Sequence, residues 1–171
     1  MLSFEQALEK LLAAAQPVEE VRSLPLTAAA GRVLAVAQRS TVAVPPLDNS
    51  AMDGYAVRSA DVTTAGVCLP VSQRIPAGTV GVALQAGTAA RIFTGAPVPP
   101  GADAVQMQED CSAEEDFVAI NKLPRPGENI RRAGEDIRSG AQILATGKRL
   151  GAAEMGSPPR SVWPNCRYSK S

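Results

Sequence analysis

Pro45-Pro46-Leu47-Asp48-Asn49-Ser50-Ala51-Met52-Asp53-Gly54-Tyr55-Ala56 is where the structural period of this chain changes. Upstream of it, Ser3 is placed to cap a helix, with Gln6 set for the reciprocal capping-box bond. Phe4, Leu8, Leu11 and Ala15 keep the i, i+4, i+7 spacing, Leu12 widens the apolar stripe, and Pro17 stops it. A second, shorter helix is expected around Ala28 to Ala37, entered at Thr27 and weakened by Gly31. From Thr41 onward the helical period is gone. Asp53-Gly54, Pro76-Ala77-Gly78, Thr94-Gly95-Ala96-Pro97 and Pro99-Pro100-Gly101 punctuate runs of strand length: Gly54 to Arg58, Ala90 to Phe93, Ala104 to Met107 and Phe117 to Ile120. The expected fold class is α+β, mostly β, with N-terminal helices followed by an irregular, turn-rich β domain.

A further block, Gly127 to Leu150, carries Gly134, Gly140 and Gly147 between short apolar stretches and reads as a return toward the first part. Residues 1–40 and 137–156 are therefore expected to form a helix/strand linker domain, with a β-rich domain, 41–136, inserted between them. Aromatics make up only 4% of the chain, so the core must be built from Ala, Val, Leu and Ile. Lys plus Arg and Asp plus Glu number 17 each, which gives no net pull toward nucleic acid or an anionic membrane. Histidine is absent, which removes most hydrolase triads and most zinc sites. Cys68, Cys111 and Cys166 lie far apart and are odd in number, so neither a disulfide framework nor a CxxC metal site is indicated. Met1 to Glu5 does not read as a signal peptide, and no apolar run approaches the roughly 20 residues that span a bilayer. A soluble, reduced, cytoplasmic protein is expected.

Three stretches carry candidate chemistry. In the first, Asp48, Asn49, Ser50 and Asp53 gather two carboxylates and two neutral hydrogen-bonding groups, a set suited to a hydrated Mg²⁺ and equally to a plain turn. In the second, Arg91-Ile92-Phe93-Thr94-Gly95-Ala96-Pro97-Val98-Pro99-Pro100-Gly101-Ala102-Asp103, Thr94 and Gly95 follow a short apolar strand. There they offer a hydroxyl and backbone N–H groups to an anion, or simply form a proline-stiffened turn. In the third, Gly127-Glu128-Asn129-Ile130-Arg131-Arg132-Ala133-Gly134-Glu135-Asp136-Ile137, the arginines suit phosphate and Glu135 and Asp136 suit metal or water. Mutual salt bridging on a solvated loop is the alternative.

Taken in this order and spacing, Asp48-Asn49-Ser50-Ala51-Met52-Asp53-Gly54-Tyr55-Ala56, Phe93-Thr94-Gly95-Ala96-Pro97 and Gly134-Glu135-Asp136-Ile137 closely resemble the molybdopterin molybdenumtransferase family, which includes MoeA and the gephyrin E-domain. Gly31-Arg32-Val33-Leu34 and Gly101-Ala102-Asp103-Ala104-Val105 resemble it too, so that the likeness covers roughly Met1 to Gly156. The resemblance implies a fold of the MoeA N-terminal and linker type. It implies substrates, adenylated molybdopterin and molybdate, a Mg²⁺ cofactor, and release of AMP. It also implies a homodimer, a pterin as small-molecule ligand, the adenylating protein of the pathway as a partner, and neither nucleic acid nor membrane. By motif match, Asp53, Thr94 and Asp136 are the catalytic residues; Asn49, Ser50, Gly95 and Arg131 bind substrate; Asp53, Asp136 and Glu135 hold the metal. The same fold also serves as a non-catalytic dimerisation scaffold of the gephyrin type, which is the alternative function.

Members of that family continue for about two further domains, of order 100–200 residues each. The pterin-binding α/β domain and a C-terminal β domain are thus expected to be absent here, and the chain alone to be inactive or nearly so. With part of its support missing, the first helix is expected to leave Phe4, Leu8 and Leu11 under-buried. Ser157 to Ser171 is polar, Pro-interrupted and unlike the rest. Codons can be chosen for Gly-Leu-Ala-Ala-Ser-Val-Gly-Leu-Ala-Glu-Leu-Pro-Val-Phe-Lys-Ile, a peptide resembling the family, such that deleting one C yields the observed Gly156 to Ser171. The tail is therefore expected to be a frameshift product. Resequencing the codons for Gly151 to Ser171 checks this: one added base that reopens a long frame makes the tail a reading error, whereas a frame that closes just after Ser171 makes the chain a real truncation, expected to show no transferase activity alone.

Overall fold

A computed structural model of the chain describes residues 2–16, 20–156 and 166–169. The elements are α1 (Phe4–Ala14), β1 (Val21–Leu24), β2 (Val33–Leu34), β3 (Gln38–Arg39), β4 (Asn49–Ser50), β5 (Gly54–Val57), β6 (Val67–Ile75), β7 (Ala89–Ile92), β8 (Ala104–Met107), β9 (Cys111–Glu114), β10 (Phe117–Ile120), β11 (Ile130–Arg131), β12 (Gln142–Leu144), α2 (Ala152–Gly156) and β13 (Cys166–Ser169). The chain divides into two compact units, residues 1–41 with 140–171, and residues 42–139. Among the described residues, no helix is long and apolar enough to cross a membrane.

The first unit opens with α1, whose capping box is formed in full: the Ser3 hydroxyl accepts from the Gln6 N–H, and the Gln6 side chain accepts from the Ser3 N–H. Pro17, expected to stop this helix, lies outside the described residues. No residue of α1 is buried, and Phe4, Leu8 and Leu11 are 78%, 44% and 71% exposed, as the resemblance leads one to expect.

The expected second helix does not form. Only Leu26–Ala28 make a single 3-10 turn, Gly31 takes the left-handed φ of +76°, and Val33–Leu34 leave as β2. The cause is tertiary. The Gly31 N–H donates to the Leu150 carbonyl, the Leu150 N–H to that of Arg32 and the Leu34 N–H to that of Lys148, pairings a continuing helix would forbid. Ala29, Leu34 and Leu150 form the small core there, with Leu24, Leu26, Ile143, Leu144 and Met155 packed against it. Of the final segment only β13 is described; it pairs antiparallel with both β1 and β2. The rest of the expected frameshifted stretch lies outside the described residues.

The second unit is built on a six-stranded sheet of order β8-β5-β7-β6-β10-β9. Its pairs are antiparallel except β6 with β7, which run parallel. The runs expected from turn punctuation, Ala104 to Met107 and Phe117 to Ile120, are β8 and β10 unchanged, while β5 and β7 are displaced by at most a residue. Both sheet faces are covered. Tyr55, Val57, Leu69, Ala89, Ala104, Val118 and Ile120 belong to one cluster; Ala56, Ile75, Leu84, Ala90, Ile92 and Val105 belong to another. All four residues of the interior strand β5 are consequently buried. Each Val, Leu or Ile so removed from water stabilises the fold by about 1.5–3 kcal/mol.

The tightest point of this sheet is Gly54. A Cβ there would overlap the carbonyl oxygen of Gln106 on the neighbouring strand β8, a backbone atom that cannot swing aside. Gly54→Ala should therefore cost about 3 kcal/mol of stability, as overpacking of a closed core does. Urea unfolding of the two proteins side by side tests this, and a difference below about 1 kcal/mol would show that the strands can part.

Candidate functional site

The residues of the three motifs are distant in sequence, and the fold of residues 42–139 stitches them around the two-residue strand β4. The Ser50 N–H donates to the Ala96 carbonyl at 2.9 Å, and the Gly95 N–H donates to the Ser50 carbonyl at 2.9 Å, which fixes the second motif on the first. On its other side β4 pairs with β11, Asn49 opposite Arg131 and Ser50 opposite Ile130, which brings in the third. The Ala51 N–H adds a bond to the Asn129 carbonyl at 2.9 Å, and the Val98 N–H one to the Asp48 carbonyl at 2.8 Å.

Within this frame Asp53 and Thr94 form a closed clasp. Asp53 Oδ1 accepts from the Thr94 N–H and from Thr94 Oγ1, both at 2.7 Å. These donors, the backbone N–H first and the hydroxyl second, hold the Asp53 carboxyl below the usual aspartate range, with a smaller contribution from the charge of Arg91. Arg91 itself donates to the Gly54 carbonyl at 2.9 Å and to the Gln108 side-chain oxygen at 2.7 Å.

A second clasp holds the third motif. Asp48 Oδ1 accepts from the Ala133 N–H at 2.8 Å and Oδ2 from Arg132 Nη1 at 2.6 Å. The Ala133 N–H and then the Arg132 guanidinium lower the Asp48 carboxyl in the same way. Arg131 Nη2 donates to Asp136 Oδ2 at 2.6 Å, both side chains remaining about half exposed, and Asp136 in turn pushes the Arg131 guanidinium further up. Glu135 Oε2 accepts from the Arg132 N–H at 2.9 Å.

Each expected site residue thus has a place. Asp53, Thr94 and Gly95 lie together at the junction of the first two motifs. Asn49 and Arg131 face each other across β4 and β11, with Glu135 and Asp136 in the loop that follows. Ser50 is 1% exposed, and its hydroxyl is engaged within its own turn, donating to the Met52 carbonyl at 2.6 Å. The sequence offers Asp48 within the first motif, but it assigns a partner neither to Asp48 nor to Arg91. Their partners lie 84 and 37 residues away, and no local spacing points to them.

No group of three or more His, Cys, Asp or Glu side chains able to hold a metal lies among the described residues. The three expected ligands, Asp53, Glu135 and Asp136, each already accept from a neighbour. The described residues do not bring the three into one metal-binding group, so a cation they contacted would take most of its ligands from water and phosphate, as Mg²⁺ does.

Residues 2–157 match the family model described as the MoeA N-terminal region, domains I and II. The chain is 41% identical over 157 residues to a molybdopterin molybdenumtransferase 2 of Mycobacterium tuberculosis, and 42% identical over 154 residues to a molybdopterin molybdenumtransferase of Nostoc. These alignments cover 89% and 87% of this chain and only 38% and 35% of those proteins. The crystal structure of the molybdopterin biosynthesis moeA protein from Pyrococcus horikoshii superposes with a TM-score of 0.90 at 32% identity, over 99% of this chain and 46% of that one. With a family model matching nearly its whole length, the chain belongs to the MoeA family, of which it carries the N-terminal region.

Proposed function

We propose that this chain supplies one wall of a site in molybdenum cofactor biosynthesis, at which molybdate is inserted into adenylated molybdopterin and AMP is released. The observation that carries this reading is the Asp53–Thr94 clasp, held on a frame in which all three family motifs meet. The names of the relatives support the substrate class.

The side chains suit that chemistry. Release of AMP cleaves a phosphoanhydride flanked by oxyanions, so the site must offset negative charge and hold the reacting groups in line. Asp53, kept below the usual aspartate range, is a carboxylate at neutral pH and serves as an acceptor or cation ligand, not as an acid. The Thr94 hydroxyl donates its hydrogen bond to Asp53, so toward a substrate it acts as an acceptor. Arg131 pairs with Asp136 through one amino group, and its remaining N–H donors are available to phosphate. Mg²⁺, when bound, would neutralise phosphate charge, and Asp53, Glu135 and Asp136 are the carboxylates that would hold it. Asn49 and Gly95 complete the wall, in a homodimer that receives its pterin from the adenylating protein.

The test is a chimera in which residues 2–156 replace the matching region of a full-length relative. AMP release from adenylated molybdopterin with molybdate and Mg²⁺ should persist, and Asp53→Ala should lower it by about 100-fold or more. A chimera that folds and dimerises but releases no AMP would instead favour the scaffold reading.

The clasp also has a titration signature. A folded-state carboxyl below its ordinary value of 3.8 adds stability that is complete above 3.8 and is lost as pH falls through the lower, folded value. Thr94→Val keeps the backbone donor and removes the hydroxyl, so the Asp53 carboxyl should titrate closer to 3.8, as read by carboxyl carbon NMR. An unchanged titration would mean that the hydroxyl bond is not formed in solution.

A further inference from the structure

Across the six-stranded sheet one row of side chains runs from Gln106 on β8 through Tyr55 on β5 and Arg91 on β7 to Arg74 on β6, each in register with the next. Both arginines lie over the ring of Phe93, and Arg91 also lies over that of Tyr55. The Arg91 guanidinium carbon lies 5.1 Å from the centre of the Tyr55 ring and 4.7 Å from that of Phe93, and the Arg74 guanidinium carbon lies 4.7 Å from Phe93. One aromatic ring therefore serves two cations. Every other contact that Arg91 makes is to a neutral acceptor, the Gly54 carbonyl and the Gln108 amide. Among the described residues Arg74 has no partner but Phe93, and neither arginine forms an ion pair. Adjacent guanidiniums repel each other, and the ring quadrupole, the Asp53 carboxylate near Arg91 and Glu115 offset this only in part.

These two arginines line a cavity of about 200 Å³ together with Tyr55, Val71, Glu115 and Phe117. Tyr55 is 7% exposed, and its hydroxyl has no hydrogen-bond partner among the described residues. Glu115, on the turn between β9 and β10, is the single carboxylate of the lining, so the cavity keeps an excess of one positive charge. A guanidinium has five N–H donors, of which Arg91 uses two on protein acceptors. Those bonds and the two rings fix its plane before any ligand arrives, which lowers the entropy lost on binding.

We propose that this cavity binds a tetrahedral oxyanion, held by Arg74 and Arg91 with the Tyr55 hydroxyl as a further donor. The inference stands apart from the catalytic reading above, since it concerns binding to residues given no role there. Phosphate carried on a nucleotide and free molybdate share this chemistry, and size and charge admit both.

The test is NMR of the full chain, following arginine Nε–Hε and aromatic ring signals while phosphate, AMP or molybdate is added at constant ionic strength. Saturable shifts of Arg74, Arg91 and Tyr55 are expected. Arg74→Gln, a change on an exposed side chain, should weaken binding about tenfold, the effect of losing hydrogen bonds to a charged group. Glu115→Gln should tighten it severalfold, and because it lies on an exposed turn it gives an independent reading should Arg74→Gln fail to fold. Tighter binding of AMP than of the free ions assigns the site to a nucleotide phosphate, and tighter binding of molybdate assigns it to the metal oxyanion. Shifts that do not saturate with any of the three, or that neither substitution changes, would overturn the proposal.

Discussion

The two backbone bonds at Ser50, one donated to Ala96 and one accepted from Gly95, decide where the loops of the second unit lie. A two-residue strand has almost no stability of its own. It persists because β11 pairs with its other side and because the neighbouring carboxylates of Asp48 and Asp53 take hold of the loops flanking it. The side-chain clasps are exposed and individually weak. What holds them in place is the buried six-stranded sheet behind them, above all the four buried residues of β5, whose first residue follows Asp53 directly.

This arrangement explains why a stretch that resembles a plain turn carries two carboxylates. Asp48 accepts from a backbone N–H and a guanidinium, and Asp53 from a backbone N–H and a hydroxyl, in both cases from a loop some 40 to 85 residues on. Asp103, in the second motif, does the same for the Ser59 N–H and hydroxyl at 2.6 and 2.7 Å. An ionised carboxylate only accepts hydrogen bonds and has room for several donors, so it can tie two donors of a distant loop at once. The same bonds keep Asp48 and Asp53 ionised, so the structural and the chemical uses of these residues reinforce each other.

Local chemistry was legible in the sequence where it is decided locally. Ser3 and Gln6 announce the start of α1, and turn residues bracket β8 and β10 correctly. The nine-residue strand β6 was missed because Pro70 interrupts it and its alternation of buried and exposed positions mixes Ser72, Gln73 and Arg74 with apolar residues. The second helix was expected because Ala-rich sequence favours it, and pairing with residues near Leu150 overrides that propensity. For the third motif the fold shows the salt-bridged alternative: Arg131, at the end of β11, and Asp136, in the loop that follows, form an exposed ion pair. Spacing alone could not have placed Asp53 against Thr94. That juxtaposition entered through the family resemblance, and the fold makes it physical.

The outermost pairing of the second unit joins Val44 to Ile137, and all the strands of the large sheet lie between them in sequence. Nearly every contact that shapes the motif region is therefore long-range. On a ribosome adding about 5–20 residues per second, Asp48 and Asp53 leave the tunnel several seconds before the loop containing Arg132 and Asp136. During the first part of that interval, until β7 and β8 follow it, the apolar run of β5 has no partner strand. The site is consequently among the last parts of this unit to take shape, since β4, on which the motifs meet, waits for β11 near the end of the unit.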